Sequence, residues 1–249
     1  MHLLRLLLGG LLAWSACSLA GKDPAEKPAA FQVLVFSRTE GYRHASIPDG
    51  IAALRALGAE HGFSVIATED PDYFHPDSLA RFAVVVFLNT TGDVLDSLQQ
   101  VAFQAYIQQG GGFVGIHAAS DTEYDWPWYG KLVGAYFKNH PRIQEAVVRV
   151  VDPGHPSTQA LPASWRRTDE WYNFRENPRL SGVQVLAVVD ESTYEGGQMG
   201  EDHPISWYHT YAGGRAWYTA MGHTKESYAE PLFRQHLLGG ILWAAGRAR

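Results

Sequence analysis

Apolar positions in the first half of the chain fall into short runs separated by polar, glycine-containing loops. Phe31 to Phe36 (FQVLVF), Phe63 to Thr68 (FSVIAT) and Ala83 to Leu88 (AVVVFL) predict strands. The last is almost wholly apolar, as befits a parallel strand covered on both faces. Between the first two strands, Ile51, Leu54 and Leu57 recur at helical spacing, and Ser46 or Asp49 can cap a helix running to about His61. A second helix is predicted from about Leu95 to Gln109, with Leu98, Val101, Phe103 and Tyr106 as its apolar contacts. Gly110-Gly111-Gly112 stops it and leads into a fourth strand that ends at His117. This alternation of strands and helices argues for a doubly wound parallel sheet, whose ligands gather at the carboxyl ends of its strands.

The second half is less regular. Glu145 to Val151, Arg166 to Phe174 and Val183 to Val189 read as strands, and Pro204 to Tyr211 with Arg215 to Met221 as a hairpin around Ala212-Gly213-Gly214. A C-terminal helix is expected over about Ala229 to Ala245. The doubly wound topology brings two polar loops to one edge, SRTEGYRHAS after the first strand and HAASDTEYDWPWYG after the fourth, with Asn89-Thr90-Thr91 joining them.

Composition changes the picture at the N-terminus. Residues 1–20 carry one positive charge (Arg5), the apolar run LLLGGLLAW and the small-residue end Ser18-Leu19-Ala20, the layout of a secretory signal. Cleavage after Ala20 is expected, with lipoprotein processing at Cys17 as the alternative and the only route to membrane attachment. Residues 21–30 read as a linker, and 31–249 as one domain acting in the periplasm or outside the cell. Cys17 is the only cysteine, so a mature chain has no disulfide and no thiol nucleophile. Removing residues 1–20 takes away Arg5 and no acid, so the formal charge of −6 becomes −7, with no electrostatic footprint for nucleic acid.

Candidate chemistry collects in four polar-aromatic clusters. These are Glu40-Gly41-Tyr42-Arg43-His44; His117 with Ser120, Asp121, Glu123 and Tyr124; Asp169-Glu170-Trp171-Tyr172-Asn173; and His203, Trp207, His209 with His223. Imidazoles beside carboxylates suit proton transfer near neutral pH, or a divalent cation such as zinc. No H-E-x-x-H spacing marks a metal helix. SRTEGYRH lacks a dinucleotide glycine pattern, and no G-x-S-x-G occurs, so neither a nucleotide cofactor nor a serine nucleophile is expected. His140 (KNHP) and His155 (GHP) precede prolines, where a local structural role competes with a site role.

The motifs VLVFSRTEGYRHASI, GGGFVGIHAASD, YGKLVGAYFKNHP, DEWYNF and the terminal WYHTYAGGRAWYTAMGHTKESY…FRQHLLGGILWAAG, in this order, resemble the ThuA-like (trehalose utilisation) family from about Phe31 to Gly246. The resemblance implies a class I glutamine amidotransferase-like fold, a flavodoxin-like three-layer α/β/α sandwich with a mainly parallel central sheet. In the amidotransferases the elbow after this strand presents a cysteine. The matching place here looks like His117, which rules out glutaminase chemistry by a thioester.

The resemblance also implies carbohydrate catabolism and carries over His44, His117, Asp121, His140, Glu170, Trp171, His209 and His223. The expectation is an enzyme acting on a sugar or keto-sugar by isomerisation, elimination or hydrolysis. His117, Glu170 and Asp121 would be its catalytic groups. His44, Tyr42, Tyr124, Trp171, Tyr172, Trp207 and His209 would bind the sugar, and His44, His117, His223 and His140 could hold a metal. The alternative is a non-catalytic carbohydrate-binding or scaffold domain.

Overall fold

The computed structural model describes residues 31–248. The signal, lipidation and linker readings fall outside that range. In chain order the elements are β1 (Phe31–Phe36), α1 (Ile47–His61), β2 (Phe63–Thr68), α2 (Pro76–Leu79), β3 (Val84–Leu88), α3 (Ser97–Gln108), β4 (Gly112–Ile116), α4 (Pro127–Val133), β5 (Phe137–Asn139), β6 (Gln144–Val150), β7 (Ser164–Asp169), β8 (Asn173–Phe174), β9 (Gln184–Asp190), β10 (Pro204–Tyr211), β11 (Gly214–Thr219) and α5 (Pro231–Ala244).

Nine strands form one sheet in the order β2-β1-β3-β4-β11-β10-β9-β6-β7, and β5 and β8 pair separately. From β2 to β11 every pairing is parallel, which is the doubly wound order with β11 in fifth place. From β11 outward every pairing is antiparallel, so the parallel character holds for one half of the sheet rather than for most of it. Helices α1 and α5 pack together over one face, and α2, α3 and α4 cover the other, which completes the flavodoxin-like sandwich. Every residue of β3 and β4 is buried, as their unbroken apolar runs demand.

Local chemistry sets the helix ends. Asp96 accepts the N–H groups of Leu98 and Gln99, while the Gln99 side chain accepts the Asp96 N–H, a capping box that starts α3 two residues later than the apolar pattern suggests. Ser46 does stand at the cap of α1, but its hydroxyl makes no capping bond. It accepts instead from Asn89 Nδ2 at 3.1 Å and lies 3.4 Å from the Gly222 carbonyl, joining the loops after β1, β3 and β11. The strand expected over Arg166 to Phe174 is broken. β7 stops at Asp169, and Glu170-Trp171-Tyr172 form a crossing loop before β8.

The core under α5 contains a titratable group. The imidazole of His236 is fully buried, with Nδ1 2.8 Å from the Ser157 carbonyl and Nε2 3.1 Å from the Ser206 hydroxyl. Burial pushes it down to about 3. Below the ordinary value of 6.5 the unfolded chain therefore binds a proton that the folded chain refuses, so stability is intact above that pH and is lost as pH falls toward 3. Urea titrations at pH 7 and pH 5 should differ by about 2 kcal/mol from this residue alone. A His236→Gln protein should lose that difference, and an unchanged pH slope in the variant would refute the assignment.

Candidate metal centre

At the carboxyl edge of the parallel half, β4 ends and the chain turns sharply. His117 has φ of +49°, a left-handed conformation in a residue that is not glycine. Strain of this kind persists only where surroundings hold it, and three contacts do so. The Tyr218 hydroxyl donates to the His117 carbonyl at 2.7 Å, Ser120 bonds Tyr218, and His117 Nδ1 lies 2.6 Å from the Ala220 carbonyl. Gly115 makes room for this: a Cβ there would stand 2.9 Å from the Tyr218 ring. The Nδ1 contact is with an acceptor, so Nδ1 donates, and Nε2 is the ring nitrogen turned toward the centre.

Three other side chains converge on that nitrogen. His223, in the loop after β11, places Nδ1 3.2 Å from His117 Nε2. Glu170 brings Oε2 to 3.0 Å from His223 Nδ1 and 3.5 Å from His117 Nε2. His44, after β1, stands edge-on at 4.9 Å from the His117 ring and 5.0 Å from the His223 ring. One donor atom from each of the four lies within 4.8 Å of all the others. His44, His117 and Glu170 are buried, and His223 is partly exposed.

Electrostatics follow from this crowding. Burial, with His117 and His223 alongside, pushes His44 down to about 2, so it is neutral, yet its buried Nδ1 has no hydrogen-bond partner. Burial alone would raise the Glu170 carboxyl. The His117 and His223 imidazoles beside it outweigh that effect and hold the group well below the ordinary carboxylate range.

These donors suit a divalent cation. Metal–nitrogen bonds near 2.05 Å in a tetrahedron put ligand atoms about 3.3 Å apart; the separations among His117, His223 and Glu170 run from 3.0 to 3.5 Å, and the His44 donor atom lies within 4.8 Å of all three. The backbone carbonyl behind His117 Nδ1 is the outer partner that metal-ligating histidines usually have. Two clefts, of 690 Å³ between α2 and α3 and 570 Å³ beside α4, contain no such cluster.

The other candidate residues divide around this centre. His140 is half-exposed and stands behind the ligand set, its Nδ1 3.0 Å from Glu170 Oε1 and 2.8 Å from the Pro141 carbonyl. Tyr172 tilts against His117 at 4.1 Å between ring centres and is itself buried. Tyr42 is 65% exposed, with its ring 4.9 Å from His44, and forms an open aromatic rim. Asp121 accepts the Tyr124 hydroxyl at 2.6 Å, and burial pushes its carboxyl up. The Arg175 guanidinium covers the Tyr124 ring at 3.9 Å.

Three residues expected to bind sugar are placed elsewhere. Trp171 and Trp207 are core residues whose indole N–H groups donate to the Gln144 and Val133 carbonyls, so neither presents a free face. His209 lies on β10 opposite Ala216 and contacts the Leu132 carbonyl. Ala216 is three residues before Thr219, the strand end level with Ile116, which sets His209 about 10 Å back from the edge.

Asp169 belongs to the third cluster of the sequence but has no role assigned there. It is fully buried and accepts the backbone N–H groups of both Glu170 and His223. The signal was the alternation in SWRRTD, where Trp165, Arg167 and Asp169 share one face and that face is buried. Among the described residues His203 also supports the Glu170 loop, with Nε2 2.8 Å from the Tyr172 carbonyl.

Comparisons with known proteins were drawn against this geometry. A family model described as trehalose utilisation (ThuA) matches residues 32–244. A crystal structure of a ThuA-like protein from Bacteroides uniformis superposes with a TM-score of 0.75 at 25% identity, covering 90% of this chain and 95% of that one. One from Parabacteroides merdae gives 0.73 at 21% identity, with 89% and 91% covered. A β-galactosidase from Bacillus circulans shares the fold alone, at 0.53 and 13% identity, covering 88% of this chain and 31% of that one. No curated protein sequence matches the chain.

Proposed function

The chain belongs to the ThuA (trehalose utilisation) family, which gives it a carbohydrate-related role, and from that premise we propose an enzyme that acts on a sugar or keto-sugar at a divalent-metal centre. The observation that carries this reading is the convergence of three imidazoles and one carboxylate, whose donor atoms all lie within 4.8 Å of one another, those of His117, His223 and Glu170 within 3.0 to 3.5 Å. A cation held by His44, His117, His223 and Glu170 would polarise a substrate carbonyl or hydroxyl oxygen.

The protein's own groups would do the rest. Tyr42 offers an apolar ring face at the open rim beside His44, where a pyranose can stack. Glu170 faces His140 through its second oxygen, which is the oxygen left to take a proton when the first is turned to the cation. In a 3-keto-glycoside the carbonyl acidifies the neighbouring C–H bond. Transfer of that proton to Glu170 leaves the bond's electron pair in an enolate. Protonation of the former carbonyl carbon and its oxygen, while the hydroxyl on the deprotonated carbon gives up its proton, moves the carbonyl and isomerises the sugar. In elimination the enolate carbonyl re-forms, the electron pair becomes a new C=C bond, and the β-oxygen substituent departs with the electrons of its own C–O bond and takes a proton. Asp121, with its raised carboxyl and its Tyr124 contact, is placed to return a proton to a leaving oxygen. Action outside the cytoplasm belongs to this reading on the strength of residues 1–20.

The binding-module alternative is the weaker one, because it needs open aromatic platforms, and Trp171 and Trp207 are buried. Protein purified without chelator should contain about one zinc or similar cation per chain. With 3-keto-glucosides it should give NMR-detectable product that chelator abolishes. No turnover across several keto-sugars and metals would sink the proposal.

A further inference from the structure

Two of the four donors sit on loops far apart in sequence, and a single carboxylate holds both. Asp169 Oδ1 accepts the Glu170 N–H at 2.9 Å and the His223 N–H at 3.0 Å. Its Oδ2 accepts the Gly222 N–H at 2.9 Å and the Ser227 hydroxyl at 3.3 Å, and meets Arg167 Nη2 at 3.0 Å. Arg167 is in turn immobilised. Its guanidinium lies 4.7 Å from the ring centres of both Trp165 and Phe233, and Nη2 donates to Ser227 at 2.7 Å. Both charges are buried, at 0% and 5% exposure.

β7 is the outermost strand of the antiparallel half, four pairings away from β11. Nothing in the strand pairing brings its end to the loop after β11. The inward-facing residues of β7 do so, through Asp169 on Gly222 and His223 and through Trp165, whose Nε1 donates to Glu230 at 2.7 Å. A buried ion pair is weak evidence for stability, because desolvation opposes its Coulombic gain. Five contacts on one carboxylate, two of them to the main chain of donor-bearing residues, give this pair a different use.

We infer that Asp169, braced by Arg167, is a positioning residue that sets the spacing of Glu170 and His223 and thereby preforms the metal centre. The inference rests on the metal reading above. His117 is held by separate contacts, from its Nδ1 to the Ala220 carbonyl and from the Tyr218 hydroxyl to its own carbonyl, neither of which involves Asp169.

The test is cobalt(II) binding, followed by visible absorption and by competition with a chelator, in Asp169→Asn protein and in an Arg167→Met/Asp169→Asn double variant. The double variant removes both buried charges, so it reports if the single variant fails to fold. Wild-type protein should bind one cobalt with the intense visible bands of a four-coordinate site. The folded variant should bind about 10- to 100-fold more weakly, the usual effect of losing an outer-shell partner, and with altered bands. A variant that melts at lower temperature but binds cobalt with unchanged affinity and spectrum overturns the inference alone and leaves the pair a purely structural one. Wild-type protein that binds no cobalt overturns the metal reading and this inference with it.

Discussion

A His117→Ala protein is expected to fold, to lose stoichiometric divalent metal, and to turn over a 3-keto-glucoside about 10³-fold more slowly than wild type. Three features of the residue lead to this result. Its Nε2 faces both His223 Nδ1 and Glu170 Oε2, at 3.2 and 3.5 Å. Its orientation is set from behind by the Ala220 carbonyl, so no other ring can swing into its place. Its backbone occupies a left-handed elbow held by Tyr218 and Ser120, and alanine, like histidine, bears a Cβ and can stay there. Leaving the Ala220 carbonyl unpaired should cost about 1–3 kcal/mol, visible as a lowered melting temperature with a single cooperative transition. Metal content by elemental analysis, with turnover by NMR, checks the rest. A folded variant with full metal content and turnover within a few-fold of wild type would remove His117 from the centre.

How far the sequence foretells this site depends on which half of the sheet is asked. Strand β3 and the Val33–Phe36 part of β1 are legible because a strand covered on both faces must be apolar throughout, and that run is visible without knowing the partner. His117 is legible for a related reason: a glycine-flanked strand end followed by small residues has few ways to fold. His44 and His223 follow from topology, since loops after β1 and β11 share an edge with the loop after β4.

The antiparallel half is harder. Glu170 reaches the centre only because the inner face of β7 lies against residues 221 to 230, and no local pattern announces a long-range contact of that kind. α4 begins at a proline and has seven residues, too few for a periodic stripe to declare itself. Trp171 and Trp207 illustrate a different limit. An indole with one satisfied N–H serves equally well in a core or under a sugar, and burial alone decides between them. His209 and His223 are separated only by their position along the hairpin, three residues before its edge in one case and just beyond it in the other.

Glu170→Gln should separate holding the metal from moving the proton, which His117→Ala cannot do. Glutamine keeps the side-chain volume and one carbonyl oxygen, and it leaves His44, His117 and His223 as three imidazole ligands. Zinc with three histidine ligands and an open fourth position is a stable arrangement. The variant should therefore retain close to one metal per chain, with affinity weakened about 10-fold. Turnover should nevertheless fall by about 10² to 10⁴, because an amide accepts no proton and the contacts from His140 and His223 to a carboxylate are gone. The loss should appear in kcat, with KM moving little, since Tyr42 and the outer rim are untouched. A binding module would behave in the opposite way. It would have no turnover to lose, and the substitution would register as a change in sugar affinity alone. Metal retained with turnover unchanged would show that the base is another group, and Asp121, already paired with Tyr124, would be the next to replace.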